Sequence, residues 1–205
     1  MVFYLVVFEM MNSETRLVLA SNSPRRQQLL KDAGFLFHAE AKPFPENYPA
    51  QMDKENVAQY LAGEKNRFHR TVFPTDILIT ADTTVILDNH LLEKPENERE
   101  AYQMLMKLSG KTHQVITGVC ISSRQKTISF AETTLVEFRQ LSDEEINHYI
   151  GTYRPYDKAG AYGIQEWIGL VGINKIQGSY HNVVGLPVSK VYEILKNDFE
   201  VTPLL

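Results

Sequence analysis

The stretch RLVLASNSPRRQQLL, Arg16 to Leu30, decides the fold. The run RLVLAS has the length and composition of a short buried strand. Ser23 is a good helix N-cap, and Pro24 suits the first helical position. Leu29, Leu30 and Ala33 form an apolar stripe, and Gly34 stands where a C-terminal cap belongs. A strand running directly into a helix is the repeating unit of an α/β protein. Arg25 and Arg26 do not fit this pattern. The helix macrodipole disfavours cations in the first turn, by about 0.3–1 kcal/mol each. The same helix end offers free N–H groups to an anion, and two guanidinium groups suit bidentate phosphate contacts. A bound polyphosphate would offset the like-charge cost. A solvated surface pair is the alternative, and the strand–Ser-x-Ser-Pro–helix setting favours the anion site.

Strands and helices continue to alternate downstream. Phe35–Glu40 reads as a second strand, and the three prolines of KPFPENYP, Lys42 to Pro49, mark a loop. Asp53 caps a helix expected to run to about His69, with Val57, Leu61 and Phe68 on one face. DILITADTTVILD, Asp76 to Asp88, reads as a long or broken central strand turned back at Asp88–His90. A helix from Asn97 to Leu108 ends at Gly110. HQVITGVCISS and TISFAETTLVEFRQL read as two strands joined by the polar turn SRQK. Ser142 and Glu145 make a capping box for a helix to Ile150. A glycine-rich stretch runs from Gly160 to Gly185, and Pro187 opens a last helix with Val191, Ile194 and Leu195 inward. The fold class expected is α/β with a mixed sheet.

The chain has 205 residues, 43% of them hydrophobic, enough for one domain or two apposed lobes. Its net charge of −4 disfavours a nucleic-acid partner, so any anion-binding surface must be local. The single cysteine, Cys120, can form no intrachain disulfide and sits in an apolar run. Packing and a reducing, cytoplasmic setting are expected for it. The apolar run in MVFYLVVFEMMN, residues 1–12, is too short to span a bilayer and lacks a basic leader region. It is read as an over-called or non-native extension, with an edge strand as the alternative. Residues 13–205 are read as a single domain, with no membrane partner.

Four features carry chemistry. Asp82, flanked by apolar residues, is costly to bury unless it is paired, hydrogen-bonded or on a metal. A turn-capping aspartate and a cleft carboxylate that binds a cation or activates water both remain open. Lys65 follows Leu61 by one turn and shares its inward-leaning stripe, although a snorkelling surface lysine gives the same spacing. Lys94, in LEKP, is held extended by the following proline. In YDKAGAYGIQ, Tyr156 to Gln165, glycines and small alanines let backbone pass close to a ligand. A flexible surface loop is the alternative there. Other signals fail. SGKT at Ser109–Thr112 lacks the earlier glycine of a phosphate-binding loop, because Leu105 stands there. Neither a G-x-G-x-x-G nor a G-x-S-x-G occurs. The six histidines show no close ligand pair, and packing roles are expected for His113 and His181.

Taken together, LASNSPRR, Glu64–Lys65, ADTTV, LEKP, LSGKTHQVITGV, DKAGAYGIQ and GSYHNVVGLP resemble the Maf family of nucleoside triphosphate pyrophosphatases. The likeness runs from about Arg16 to Phe199, and is strongest to the subfamily acting on dTTP and UTP. It implies an elongated mixed β-sheet with flanking helices, two lobes around a central cleft, and a homodimer. The implied reaction is metal-dependent hydrolysis of a nucleoside triphosphate to the monophosphate and pyrophosphate, with Mg²⁺ or Mn²⁺. By match of motif, Asp82 would be the catalytic carboxylate, as base or as metal ligand. Arg25, Arg26, Lys65 and Lys94 would contact phosphates, and Glu46 would be an acidic metal-site residue. Arg26, Thr83 and Gln165 fall at positions that distinguish the pyrimidine subfamily. Family members commonly carry adjacent acids near Glu46, whereas here Pro45 precedes it and Asn47 follows. Gln165 offers both a donor and an acceptor to the acceptor–donor–acceptor edge of uracil or thymine, with CTP as a further candidate. The rivals are a non-catalytic nucleotide sensor in cell division or shape control, and a general phosphatase or transferase.

Overall fold

The structure, a computed structural model, describes residues 15–204. The expectation for residues 1–12 lies outside the described residues. In chain order the elements are β1 (Leu17–Leu19), α1 (Pro24–Asp32), β2 (His38–Ala39), α2 (Lys54–Arg70), β3 (Ile77–Leu87), β4 (His90–Leu92) and α3 (Glu98–Leu108). Then follow β5 (Thr112–Ser122), β6 (Thr127–Phe138), α4 (Asp143–Tyr153), a single 3₁₀ turn (Ala159–Ala161), α5 (Trp167–Gly172), β7 (Ile173–Gln177), α6 (Tyr180–Val184) and α7 (Val188–Asp198). Three caps form as their residue types dictate, whereas Asp53 stands at the N-cap of α2 without a side-chain cap bond. Ser23 caps α1, Asn97 accepts from the Glu100 amide at 3.0 Å, and Ser142 and Glu145 close a reciprocal capping box. Among the described residues no helix is long and apolar enough to cross a membrane.

The sheet order is β2-β1-β3-β5-β6-β7, with β4 also on β3. β1 runs parallel to β2 and β3, and the other pairings are antiparallel. One edge of β3 is covered by β5 from Leu78 to Ile86. The other edge is shared: β1 pairs with Ile77–Ile79, and β4 pairs with Val85–Leu87. Asp88 and Asn89, with φ of 50° and 62°, make the tight turn that folds β4 back onto β3. On this second edge, between β1 and β4, residues 80–84 of β3 have no neighbouring strand among the described residues. Asp82 lies in the middle of this gap.

Side chains alternate along β3. Thr80, Asp82 and Ile86 face α2: Thr80 donates to the Ala62 carbonyl, Asp82 meets Lys65, and Ile86 packs with Ala58. The opposite face carries two apolar cores. Ile79 and Ala81 pack with Leu30 of α1 and Val191 and Leu195 of α7. Val85 and Leu87 pack with Leu105 of α3, Ile146 and Tyr149 of α4 and Ile168 of α5. Thr83 stands between the two cores, and the molecule divides there into two lobes around a cleft.

Several expectations need correction. The second strand shrinks to His38–Ala39. Phe68 is 38% exposed, beside Phe44 and His69, because the last buried turn of α2 faces inward with Asn66 and His69 and leaves Phe68 on its flank. The glycine-rich stretch is ordered into α5, β7 and α6. His113 is packed as expected, between the Phe138 and Tyr162 rings, and burial pushes its imidazole down to about 4. His181, in contrast, is exposed beside the Tyr180 ring.

Gly118, the β5 partner of Asp82, lets α2 approach the sheet. A Cβ there would lie 2.3 Å from the Ala58 carbonyl oxygen and 2.4 Å from Gln59 Cα. Because these are backbone atoms, the helix itself would have to move. Gly118→Ala is therefore expected to destabilise by about 3 kcal/mol, the upper end for overpacking. Denaturant titration measures this. An unchanged midpoint would show that α2 is not seated as described.

Candidate active site

Asp82 is 7% exposed, and its Oδ1 accepts from Lys65 Nζ at 2.5 Å. Lys65 comes from the turn of α2 that crosses the gap, and also donates to Glu46 Oε1 at 2.6 Å. Two carboxylates thus converge on one ammonium group, one from the sheet and one from the 42–49 loop. Burial pushes the Asp82 carboxyl above its ordinary value, although Lys65 and Arg26 pull it back. Burial also raises Glu46, but the hydrogen bond and charge of Lys65, with Lys94 and Arg26, hold it below the usual carboxylate range.

Arg26 closes the sheet gap from the other side. Its Nη1 donates to the Ala81 carbonyl at 2.9 Å, the place a strand amide would otherwise take. Its Nε donates to the Gly185 carbonyl at 2.7 Å and its Nη2 to Thr83 Oγ1 at 3.0 Å. Three of its five N–H groups are thereby engaged with protein. Burial lowers its affinity for its proton, and the charge of Asp82 opposes that. Arg25 is differently placed, half-buried at the mouth, with Nη1 on Asp157 Oδ2 at 2.8 Å.

Arg25, Arg26, Glu46, Lys65, Asp82, Thr83, Lys94 and Gln165 all line one cleft of about 360 Å³. Lys94 is exposed at its rim and makes no ion pair with a described residue. Gln165 is also exposed, on a loop held from behind. Tyr149 Oη accepts from the Gly163 amide at 3.0 Å and donates to Glu166. A Cβ on Gly163 would come within 2.8 Å of Gln165 Nε2, so glycine is what lets that amide lie where it does. Sequence reasoning missed Lys158, 7% exposed in the same cleft between Asp157 at 2.7 Å and Glu166 at 3.1 Å. Its signal was its place in the DKAGAYGIQ stretch, two residues before Gly160. Thr117, behind Thr83, carried no signal beyond its strand.

Among the described residues no three His, Cys, Asp or Glu side chains gather as a metal-binding cluster. Glu46 and Asp82 alone nevertheless fit a hard divalent cation, since Mg²⁺ commonly takes one or two carboxylates and completes its shell with phosphate oxygens and water.

An α/β protein with a cleft, lined by arginines and lysines, astride a break in its sheet is the class this geometry defines. The chain matches the profile described as Maf-like protein over residues 16–198, and it belongs to the Maf family. It is 50% identical over 186 residues to a protein of Porphyromonas gingivalis named dTTP/UTP pyrophosphatase, covering 89% of this chain and 94% of that one. Proteins of the same name from Phocaeicola vulgatus and Cytophaga hutchinsonii are 51% and 48% identical, over 88% and 90% of this chain and 95% and 85% of theirs.

The two arginines should separate experimentally. Arg26→Ala strands the Ala81 and Gly185 carbonyls, at about 1–3 kcal/mol for each buried group left unpaired, and should lower the thermal midpoint strongly. Arg25→Ala loses one partly exposed ion pair, worth about 0–1 kcal/mol, and should leave the midpoint nearly unchanged while weakening triphosphate binding in calorimetry. Equal effects of the two variants on the midpoint would contradict this division.

Proposed function

We propose that this protein hydrolyses nucleoside triphosphates, dTTP and UTP ahead of others, to the monophosphate and pyrophosphate. The observation that carries the reading is Asp82, a buried carboxylate on Lys65 in a cleft whose rim bears Arg25 and Lys94. A triphosphate carries about four negative charges, and such a rim meets them on an otherwise acidic protein. The names of the relatives support the choice of reaction and base. Residues 13–205 form the working unit, as a cytoplasmic homodimer; the buried thiol of Cys120 suits a reducing compartment.

In this mechanism a water oxygen attacks the α-phosphorus, and the bond from that phosphorus to the bridging oxygen breaks. The electron pair leaves with pyrophosphate, and Asp82 takes the water's proton. A carboxylate raised by burial is a stronger base than a solvated one. Lys65 keeps the ionised form accessible and orients it. Arg25 and Lys94 hold the β- and γ-phosphates. Glu46 would hold a divalent cation, whose contribution is charge neutralisation at the phosphates; Asp82 joins it as a ligand only in the alternative in which it is not the base. Gln165, Thr83 and the remaining donors of Arg26 would read the base.

Pyrophosphate release measured over dTTP, UTP, CTP, GTP and ATP with Mg²⁺ or Mn²⁺ tests the reading. Orthophosphate as product would indicate a phosphatase, and no product at all a sensor. Asp82→Asn should fold and lose about 10²–10⁴-fold in kcat, the usual worth of a general base. Activity requires the ionised carboxylate, so it should fall as pH drops through a pKa above that of ordinary aspartate. This limb should vanish in the residual activity of the variant. Chelation of divalent ions should abolish turnover, and adding Mg²⁺ should restore it.

A further inference from the structure

Behind the base-reading end of the cleft lies a row of hydrogen bonds whose direction is fixed at both ends. Arg26 Nη2 meets Thr83 Oγ1 at 3.0 Å, and Thr83 Oγ1 meets Thr117 Oγ1 at 2.9 Å. Thr117 Oγ1 donates to the Asn182 carbonyl at 2.9 Å. A guanidinium group has no acceptor, so Thr83 must accept from Arg26. A carbonyl has no proton, so Thr117 must donate to Asn182. A hydroxyl carries one proton, and that of Thr117 is thereby used. Thr117 must therefore accept from Thr83, and the Thr83 proton points away from the cleft. Thr83, half-buried and lining the cleft, has one lone pair left and no proton to offer.

We infer that Thr117 is a positioning residue for base selection: it holds the Thr83 hydroxyl as an acceptor only, which admits uracil and thymine and rejects cytosine. The inference rests on the proposed pyrophosphatase reading, with the base at the Thr83 end. The two kinds of pyrimidine differ at N3. Uracil and thymine carry a proton there, and the free lone pair of Thr83 can receive it. Cytosine carries a lone pair at N3 and would meet a second lone pair. A free hydroxyl could rotate to serve either base; the directed row removes that choice. Thr117 is fully buried and does not line the cleft, so it acts on the base through Thr83. This narrows the pyrimidine preference in a way that the Gln165 amide, which can rotate to present either group, does not.

The experiment compares kcat/KM for UTP and CTP in the full chain, wild type and variants. The wild type should prefer UTP by about 10–100-fold, the discrimination expected from one mismatched polar contact. Thr117→Val keeps the shape and removes the hydroxyl, so the Thr83 proton is released to face the base. The preference should fall below about 3-fold, mainly through a lower KM for CTP, with kcat for UTP within about 3-fold of wild type. Thr117→Ser keeps the hydroxyl and should restore the wild-type ratio. A merely structural role would lower the thermal midpoint and scale both substrates together, leaving the ratio unchanged, and that result overturns the inference. So does a wild type that turns over CTP within about 2-fold of UTP, which decides the matter even if Thr117→Val does not fold. A wild type that releases no pyrophosphate from any nucleotide refutes the underlying function instead, and is distinguished by the wild-type measurement alone.

Discussion

The sheet of this protein is interrupted at its centre, and Arg26 spans the interruption. Where β1 stops and β4 has not begun, the Ala81 carbonyl takes its hydrogen bond from a side chain of α1. That substitution of guanidinium for strand is what permits a cleft at all, because a continuous neighbouring strand would bury Asp82 under backbone. It also brings the N-terminus of α1, with Arg25, to the rim of the opening. The like-charge cost of two arginines in a first helical turn is offset on one side by three protein acceptors and on the other by Asp157.

Charge in the cleft is organised in alternation. Glu46, Lys65 and Asp82 form one run of alternating sign, and Arg25, Asp157, Lys158 and Glu166 form another. Without an anion Arg25, Lys65 and Lys158 each have a protein carboxylate, so the cleft is not a bare positive hole whose repulsion would work against folding. Under the proposed function an incoming polyphosphate would compete for these cations rather than meet them unpaired. Lys94, without such a partner among the described residues, is the cation best placed to make the first contact.

Much of this could be read from the chain, because much of it is local. Caps at Ser23, Asn97 and Ser142, the turn at Asp88–Asn89 and the long apolar run around Asp82 each announce themselves within a few residues. The motif likeness placed the candidate residues in a single cleft. What the sequence hid is what depends on distance along the chain. Nothing near Arg26 says that its guanidinium replaces a strand, since its acceptors lie 55 and 159 residues away. Lys158 looked like a loop lysine because burial is conferred by Glu166 and by the turn over Val85. The order of α5, β7 and α6 was masked by glycines whose purpose is tertiary; Gly169, for example, leaves room for the Ile164 carbonyl. Phe68 went astray because the buried side of α2 turns toward Asn66 and His69 in its last turns, and His181 because its neighbours in sequence do not tell whether anything covers it.

β3, β5 and β6 run unbroken through both lobes, at 11, 11 and 12 residues. No flexible connection joins the lobes at the cleft floor; hydrogen-bonded ladders do. Any change in the width of the cleft would therefore twist these ribbons, as in a bar twisted along its length, with a restoring force spread over every rung. The stiffness of such ladders, rather than any hinge residue, would govern how widely the mouth yields to a bulkier ligand.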